Sequence, residues 1–524
     1  MNIMLVNAVS PLALNPSPPL GLVSIGSFLK SKGFENIRII DVPMDNVIFD
    51  PLKTAEEIAV EQHLLKEFSI YKPNIVGIST FSEFYHITHA ICRAAKRIDD
   101  RIHVIVGGPH ATLASATILS TNPYVDYVVR GEGELTFLEL VEKLNRTQDI
   151  TGTAGVSHIR NGVIHHEKNR PLIKDINCLP SPMWELLPSL NKYVNRYQNT
   201  PFLPIVVGSR GCPYHCSFCA SSRIWLHNGR VLSPQRVADE IAKLKKVYRA
   251  SEIIYVDDML GVDEERALSL CALLRDSGTN WWCMTRADHV TKRLTQMMRE
   301  GGCMGIGLGI ESANQIIRNR VYNKGISNSQ IINAISLIQE AKISVSLSFI
   351  FGPYDSISTI RDHVHFLKSI KPLYTHFNIL NVYPGTDLRE RIKKDGLITS
   401  RTVHDPILNL EMHRCLGLYP VKQGLSNIQK GLRSSYIDLL CYKYSQRELE
   451  VIACIISLVE NRKWDYYRNA TQEKESLLIN EQQLCEKDYE ISYQSLDMAI
   501  SNRGQFPHSL SIEFLSNFIE PIFK

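Results

Sequence analysis

No run of the chain approaches the roughly 18 consecutive apolar residues that a membrane-spanning helix requires. The first stretch, Met1-Asn2-Ile3-Met4-Leu5-Val6-Asn7, is apolar but short and has no basic flank, so it reads as a strand and not as a secretion signal. Neither sign of charge is in excess. The 58 Lys and Arg face 54 Asp and Glu, and a balance of +4 without a dense basic stretch argues against a nucleic-acid partner. Twelve cysteines spread over 524 positions are too sparse for a secreted disulfide framework, and a reducing, cytoplasmic setting is expected. A dinucleotide fingerprint is missing as well, since no G-x-G-x-x-G follows the first apolar run. With 44% hydrophobic and 21% charged residues the composition is that of a globular protein, and the length calls for more than one domain.

Against these absences one stretch is dense in chemistry: Cys212-Pro213-Tyr214-His215-Cys216-Ser217-Phe218-Cys219. Three cysteines at C-x3-C-x2-C follow the apolar run 203–210, which places them on a loop leaving a buried strand. Thiolates suit iron–sulfur clusters and zinc. A structural zinc site wants four ligands in a closed tetrahedron, and a four-iron cluster wants one ligand per iron. Three local cysteines with no clear fourth leave an iron with an open position, where a small molecule can bind and react. A zinc knuckle is the competing reading. Cys283 and Cys303, in or beside apolar strands, read as buried free thiols.

Before this loop, strands and helices alternate. Residues 3–6, 37–41, 74–79, 102–107 and 125–129 read as strands, and 20–32, 84–97 and 134–144 as helices, the first of them stopped by Gly33. Five strands with covering helices make a doubly wound, Rossmann-like α/β domain over residues 1–150, whose ligands belong outside the C-terminal strand ends. Those ends are Gly77-Ile78-Ser79-Thr80, Gly107-Gly108-Pro109-His110 and Gly131-Glu132-Gly133-Glu134. Taken singly, their glycines read as tight turns.

Residues 151–197, with Pro171, Pro180, Pro182 and Pro188, read as a linker without evident chemistry. From 198 to 395 a helix–strand rhythm recurs, beginning with a helix over 234–247 that Ser233 is placed to cap. Strands end at Asp257-Asp258, at Arg286, at Glu311-Ser312, at Gly352-Pro353 and at Pro384-Gly385-Thr386. With the strand before Cys212 they make six, a partial (β/α)6 barrel with polar or glycine-containing ends where barrels keep their active sites. Tyr255, Trp281 and Trp282 read as core. Residues 396–524 read as a mostly helical substrate or cap region, with helices over 425–444 and 446–460 and a polar stretch after them.

The cysteine loop resembles the cluster motif of the radical S-adenosylmethionine (SAM) enzymes. The resemblance implies that Cys212, Cys216 and Cys219 hold a [4Fe-4S] cluster whose fourth iron SAM chelates, with Phe218 as the aromatic residue before the third cysteine. It further implies that Asp257 and Asp258 meet the SAM amino group and that Glu311 contacts the ribose. Arg286 would pair with the SAM carboxylate or with Glu311, and Gly352 would pack along the adenine. The first 145 residues resemble the cobalamin-binding domain that precedes the barrel in one subgroup. Pro18-Pro19-Leu20-Gly21-Leu22, Gly107-Gly108-Pro109-His110-Ala111-Thr112 and the Gly131–Glu134 turn match its motifs. By that likeness Gly77, Ser79, Gly107, Gly108, Gly131 and Glu132 contact cobalamin.

One departure stands out. Many cobalamin proteins carry a cobalt-ligating histidine after the first strand, and Asn7-Ala8-Val9-Ser10-Pro11-Leu12-Ala13-Leu14-Asn15 has none. The lower cobalt face is then open, bound to water or approached by another side chain, and His110 reads as a turn support. The activity implied is reductive cleavage of SAM to a 5′-deoxyadenosyl radical, used with cobalamin to methylate an unactivated carbon of a specialised metabolite. Ring closure or rearrangement without methyl transfer is the alternative, and a non-catalytic corrinoid or iron–sulfur protein is one of another class. The implied partners are a small-molecule or peptide substrate and an electron donor such as a flavodoxin or ferredoxin.

Overall fold

The computed structural model describes residues 1–395 apart from 12–16, 46, 48–55, 189, 196–199, 202–203, 251 and parts of 353–381. The helices expected over 425–444 and 446–460 lie outside the described residues.

The first sheet has seven strands: β1 (Ile3–Ala8), β2 (Ile37–Asp41), β3 (Ile75–Thr80), β4 (His103–Gly107), β5 (Tyr127–Val129), β6 (Val156–Arg160) and β7 (Val163–His166), in the order β2-β1-β3-β4-β5-β6-β7. The first five are parallel, as their continuous apolar runs predict. Register brings Asn7 beside Ser79 and Ser79 beside Gly107, so three strand ends share one edge. Helices α1 (Leu20–Ser31) and α5 (Gly133–Asn145) cover one face; α2 (Glu56–Tyr71) and α3 (Tyr85–Ile98) cover the other.

The linker reading of 151–197 needs correction. β6 and β7 form an antiparallel hairpin that extends the first sheet past β5. Asn161 and Gly162 turn it with φ of 52° and 76°, the Asn-Gly hairpin signal, which the surrounding prolines obscure. The rest of the segment is pinned at both ends of its path. Trp184, 2% exposed, donates from Nε1 to Glu240 Oε1 at 2.6 Å, and Tyr193 donates its hydroxyl to Asp41 Oδ2 at 2.6 Å. Both rings belong to a hydrophobic cluster that runs from Leu5 and Phe137 of the first domain to Val206, Tyr255 and Phe349 of the second.

The second sheet holds six parallel strands side by side in chain order: β8 (Ile205–Val207), β9 (Glu252–Val256), β10 (Asn280–Thr285), β11 (Cys303–Glu311), β12 (Ser344–Phe351) and β13 (Tyr374–Ile379). This is the partial barrel. Ile253, Tyr255, Trp281, Cys283, Ile306 and Leu308 are buried; Trp282 is half-buried, its ring lying over Gly305. Ser233 caps its helix by accepting from Arg236 N at 3.3 Å. No helix among the described residues is long and apolar enough to cross a membrane.

Asp41 is fully buried between Tyr193 and Asn7, whose Nδ2 donates to its Oδ1 at 2.8 Å. Desolvation pushes its pKa up to about 6, against the lowering effect of the two hydrogen bonds. A folded-state pKa above the unfolded value stabilises the fold fully below about pH 4 and loses that contribution as pH rises through 6. Relative to Asp41→Asn, the wild type should therefore lose on the order of 2–3 kcal/mol between pH 4 and pH 7. Thermal midpoints of the two cofactor-free proteins across that range measure it.

Candidate active site between the two sheets

The cysteine loop rises from a narrow base. Ser209-Arg210 pairs antiparallel with Arg230-Val231, and Gly211 turns into the loop with φ +92°, so close to Asn228 that a Cβ would lie 2.3 Å from its carbonyl oxygen. Only glycine serves there. Ser217 pins the crown: its N–H donates to Tyr322 O at 3.0 Å, its hydroxyl to Val321 O at 2.6 Å, and its carbonyl accepts from Leu388 N at 2.9 Å. Phe218 meets the Tyr322 ring edge-on, centroids 5.6 Å apart. Cys212, Cys216 and Cys219 are free and half-buried. Burial pushes the Cys212 thiol up and that of Cys219 up to about 11. Among the described residues no three Cys, His, Asp or Glu side chains converge as a single ion requires. A four-iron cluster makes a different demand, one thiolate per iron at separate corners, and three thiols on one turn fit it.

Arg286 lies over this loop. Its guanidinium stacks 3.6 Å from the Tyr214 ring centroid and approaches Cys216 Sγ at 3.8 Å. It is not paired with Glu311: two 3.0 Å bonds hold it to Asp288, and a third, 2.8 Å, goes to Lys324 O. Glu311 instead accepts from Lys324 Nζ at 2.8 Å, both side chains buried. Glu311 also sits at φ +64°, at a bulge between β11 and β12. A non-glycine residue in the left-handed region at a strand end stores strain of the kind found at functional sites.

The paired aspartates divide. Asp257 is buried and fully engaged: Oδ2 accepts from Arg266 Nη1 at 2.7 Å and from the Tyr255 hydroxyl, and Oδ1 accepts from Met259 N at 2.8 Å. Arg266 in turn donates to Gly208 O at 2.8 Å. Gly208 has no room for a side chain, since a Cβ would lie 2.0 Å from the Tyr255 hydroxyl. This knot braces the strand just below the cysteines and engages both oxygens of the buried Asp257. Asp258 is exposed on a cavity wall, and desolvation followed by the neighbouring Asp257 charge raises its pKa. Gly352 donates its N–H to Asp355 Oδ2 at 2.8 Å.

That cavity, about 830 Å³, separates the two sheets. Gly77, Ser79, Gly107, Gly108, Gly131 and Glu132 all line it, joined from the barrel side by Arg210, Trp225, Val256 and Asp258. Gly108, at φ +95°, has no room for a side chain: a Cβ would lie 2.9 Å from the Thr80 backbone. Gly77 is constrained from below, where a Cβ would meet Leu5 and Phe137 at 2.9 Å. A broad, largely apolar wall floored by glycine at strand ends fits a large flat ligand such as a corrin. No histidine lines the cavity among the described residues. His110 is 1% exposed, bonded through Nδ1 to the Ser82 hydroxyl at 2.8 Å and tilted against Tyr85. Glu132 lines the cavity, yet its carboxylate is held by Arg210 and Arg230. Lys324, Arg210, Arg230 and Trp225 escaped the sequence reading. Only Arg210, adjoining the Gly211–Cys212 turn, carried a positional hint.

Comparison with known proteins agrees with this geometry. The B12 binding domain model matches residues 12–141, and the Radical SAM superfamily model matches residues 206–367. The uncharacterized methyltransferase PH0819 of Pyrococcus horikoshii is 31% identical over 451 residues, covering 84% of this chain and 92% of its own. The anaerobic magnesium-protoporphyrin IX monomethyl ester cyclase of Rubrivivax gelatinosus is 25% identical over 384 residues, 72% of this chain and 66% of its own. The structure of TsrM, a radical SAM methyltransferase of Kitasatospora setae with cobalamin and a [4Fe-4S] cluster bound, shares the fold. Its TM-score is 0.60 at 17% identity, over 75% of each chain. The chain belongs to the cobalamin-dependent radical SAM enzymes, whose cofactors are a [4Fe-4S] cluster, SAM and cobalamin.

Two outcomes follow from the site. Arg266→Met strands the buried Asp257 charge and should cost about 3–5 kcal/mol, read as a lowered urea midpoint. Cys216→Ala should leave the reconstituted protein without cluster absorption and with SAM cleavage at background, while cobalamin binding persists.

Proposed function

We propose that this enzyme transfers a methyl group from SAM, by way of cobalamin, to an unactivated carbon of a small molecule. The observation that carries the reading is a cavity whose walls join the cobalamin-type strand ends, Ser79, Gly107 and Gly108, to Asp258. The 31% likeness to PH0819, described as a methyltransferase, supports it.

When bound, the cluster supplies one electron that cleaves SAM to a 5′-deoxyadenosyl radical, and cobalamin carries the methyl group. The chain's own residues position these groups. Cys212, Cys216 and Cys219 hold the cluster, and Phe218 backs the loop against Tyr322. Asp258, with an exposed carboxylate, takes the SAM amino group in preference to Asp257, whose oxygens are occupied. Glu311, oriented by Lys324, faces the ribose, and the Gly352 turn packs along the adenine. Arg286 offers positive charge to the SAM carboxylate while Asp288 holds its plane. Gly77, Ser79, Gly107, Gly108 and Gly131 would form the floor for the corrin. A flavodoxin or ferredoxin is the proposed electron donor, a specialised metabolite the proposed substrate and the cytoplasm the proposed location.

Ring closure without methyl transfer is the second reading, favoured by the 25% likeness to the Rubrivivax gelatinosus cyclase. Anaerobic incubation of the reconstituted enzyme with methyl-labelled SAM separates the two. Methyl transfer predicts label in the cobalamin fraction, release of S-adenosylhomocysteine, and a labelled product once a substrate is supplied. SAM cleavage without any label leaving SAM for cobalamin or product would sink the proposal and favour the second reading.

A further inference from the structure

All three cysteines lie on a hairpin closed by two arginines. Arg210 and Arg230 are direct partners across the base, one just before the cysteines and one after them. Both are bound to the same turn of the cobalamin-binding domain. Arg210 donates from Nη1 to Glu132 Oε1 at 2.9 Å and from Nη2 to Glu134 Oε1 at 2.6 Å and Ser24 Oγ at 3.3 Å. Arg230 Nη1 donates to both Glu132 oxygens, at 2.9 and 2.8 Å, and to Ile173 O at 2.7 Å. The Ile173 N–H completes the ring by donating to Glu132 Oε2 at 2.7 Å.

Glu132, Glu134 and Arg230 are buried and Arg210 is half-buried, so both carboxylates and one of the two cations have been taken out of water together. Such a network adds little net stability, because desolvation offsets attraction. Its role is to link the two domains: Arg210 reaches Glu132 and Glu134 through separate nitrogens, and Arg230 holds Glu132 and the Ile173 carbonyl through Nη1. The network also reaches the cavity. The Arg230 guanidinium lies 5.4 Å from the Trp225 ring, and Trp225 forms part of the cavity wall on the short helix that follows Cys219. A Cβ on Gly211 would sit 3.0 Å from Trp225 Cβ, so the wall is packed directly on the start of the cysteine loop.

We propose that Arg210 and Arg230 are positioning residues that lock the base of the cysteine hairpin onto the Gly131–Glu134 turn and thereby set the separation of cluster and corrin. Glu132 then acts through the arginines, although it stands on the cavity wall. The inference rests on the two-cofactor assignment and is independent of whether the methyl group is transferred.

Arg230 gives the cleaner test because, unlike Arg210, it is not part of the cavity wall. The full chain carrying Arg230→Met, reconstituted anaerobically with cluster and cobalamin, is compared with wild type and with Arg230→Lys. Iron and cobalamin per chain come from absorbance, and SAM cleavage from methionine released. The separation is read from the power saturation of the Co(II) electron paramagnetic resonance signal with the cluster oxidised and reduced. Arg230→Met should bind both cofactors and cleave SAM at the wild-type rate. The relaxation of Co(II) by the reduced cluster should change, and label transfer from SAM to cobalamin should fall about 10- to 100-fold, as misplacements of roughly 1 Å cause elsewhere. Arg230→Lys should retain most of both.

Wild-type relaxation and wild-type label transfer in Arg230→Met would overturn the proposal. So would loss of cobalamin with the cluster intact, which would make Arg230 a binding residue. Should Arg230→Met hold neither cofactor, the neutral but polar Arg230→Gln decides, and the same loss there reduces the arginines to structural support and refutes the proposal. If wild type itself moves no label, methyl transfer fails while the relaxation measurement still decides the spacing.

Discussion

Two sheets can act on one substrate only if their carboxyl-terminal edges face a common space. Most of what is unusual in this molecule serves that requirement. The first sheet presents Asn7, Ser79 and Gly107 in register along one edge. The second presents Asp258 and the base of the cysteine loop to the same cavity. Backbone hydrogen bonds hold each sheet internally and say nothing of how two sheets sit together. That relation is fixed by side chains: the arginine–glutamate ring beside the cavity, and Trp184 and Tyr193 in the connector.

The barrel side shows how polarity is distributed below a reactive centre. Asp257, Arg266, Tyr255 and the Gly208 carbonyl bond to one another in a buried knot. One residue further on, Asp258 is free to face the cavity. Both follow the end of β9, Asp258 in the turn beyond it, so identical chemistry is split into a brace and a contact by where the chain leaves the strand. Glu311, held by Lys324, and Arg286, held by Asp288, each have their own counter-charge, so the two do not pair with each other.

Much of this was legible in the sequence because it is local. Apolar runs give strands, small or polar residues at their ends give the site edge, and three cysteines at fixed spacing give the cluster loop. Gly77, Ser79, Gly107, Gly108, Gly131 and Glu132, which the family resemblance singles out, line one cavity. What escaped was non-local. Nothing in the spacing of Glu132 tells that Arg230, about a hundred positions later, will hold its carboxylate, and nothing singles out Lys324 from other lysines. The aspartate pair was read as one unit because sequence gives adjacency but not the side on which a neighbour such as Arg266 packs. The hairpin over β6 and β7 was missed for a different reason. Its Asn161-Gly162 turn is a strong local signal, set in a proline-rich stretch that reads as connector.

The continuous core has a consequence for how such proteins vary. Trp184 and Tyr193 belong to one hydrophobic cluster with Leu5 and with Phe349, so beside the cavity the two halves share a core. What looks on paper like a joint between interchangeable modules is welded. A relative that exchanged its first half by recombination would have to bring the connector with it, together with the two glutamates that the barrel's arginines require.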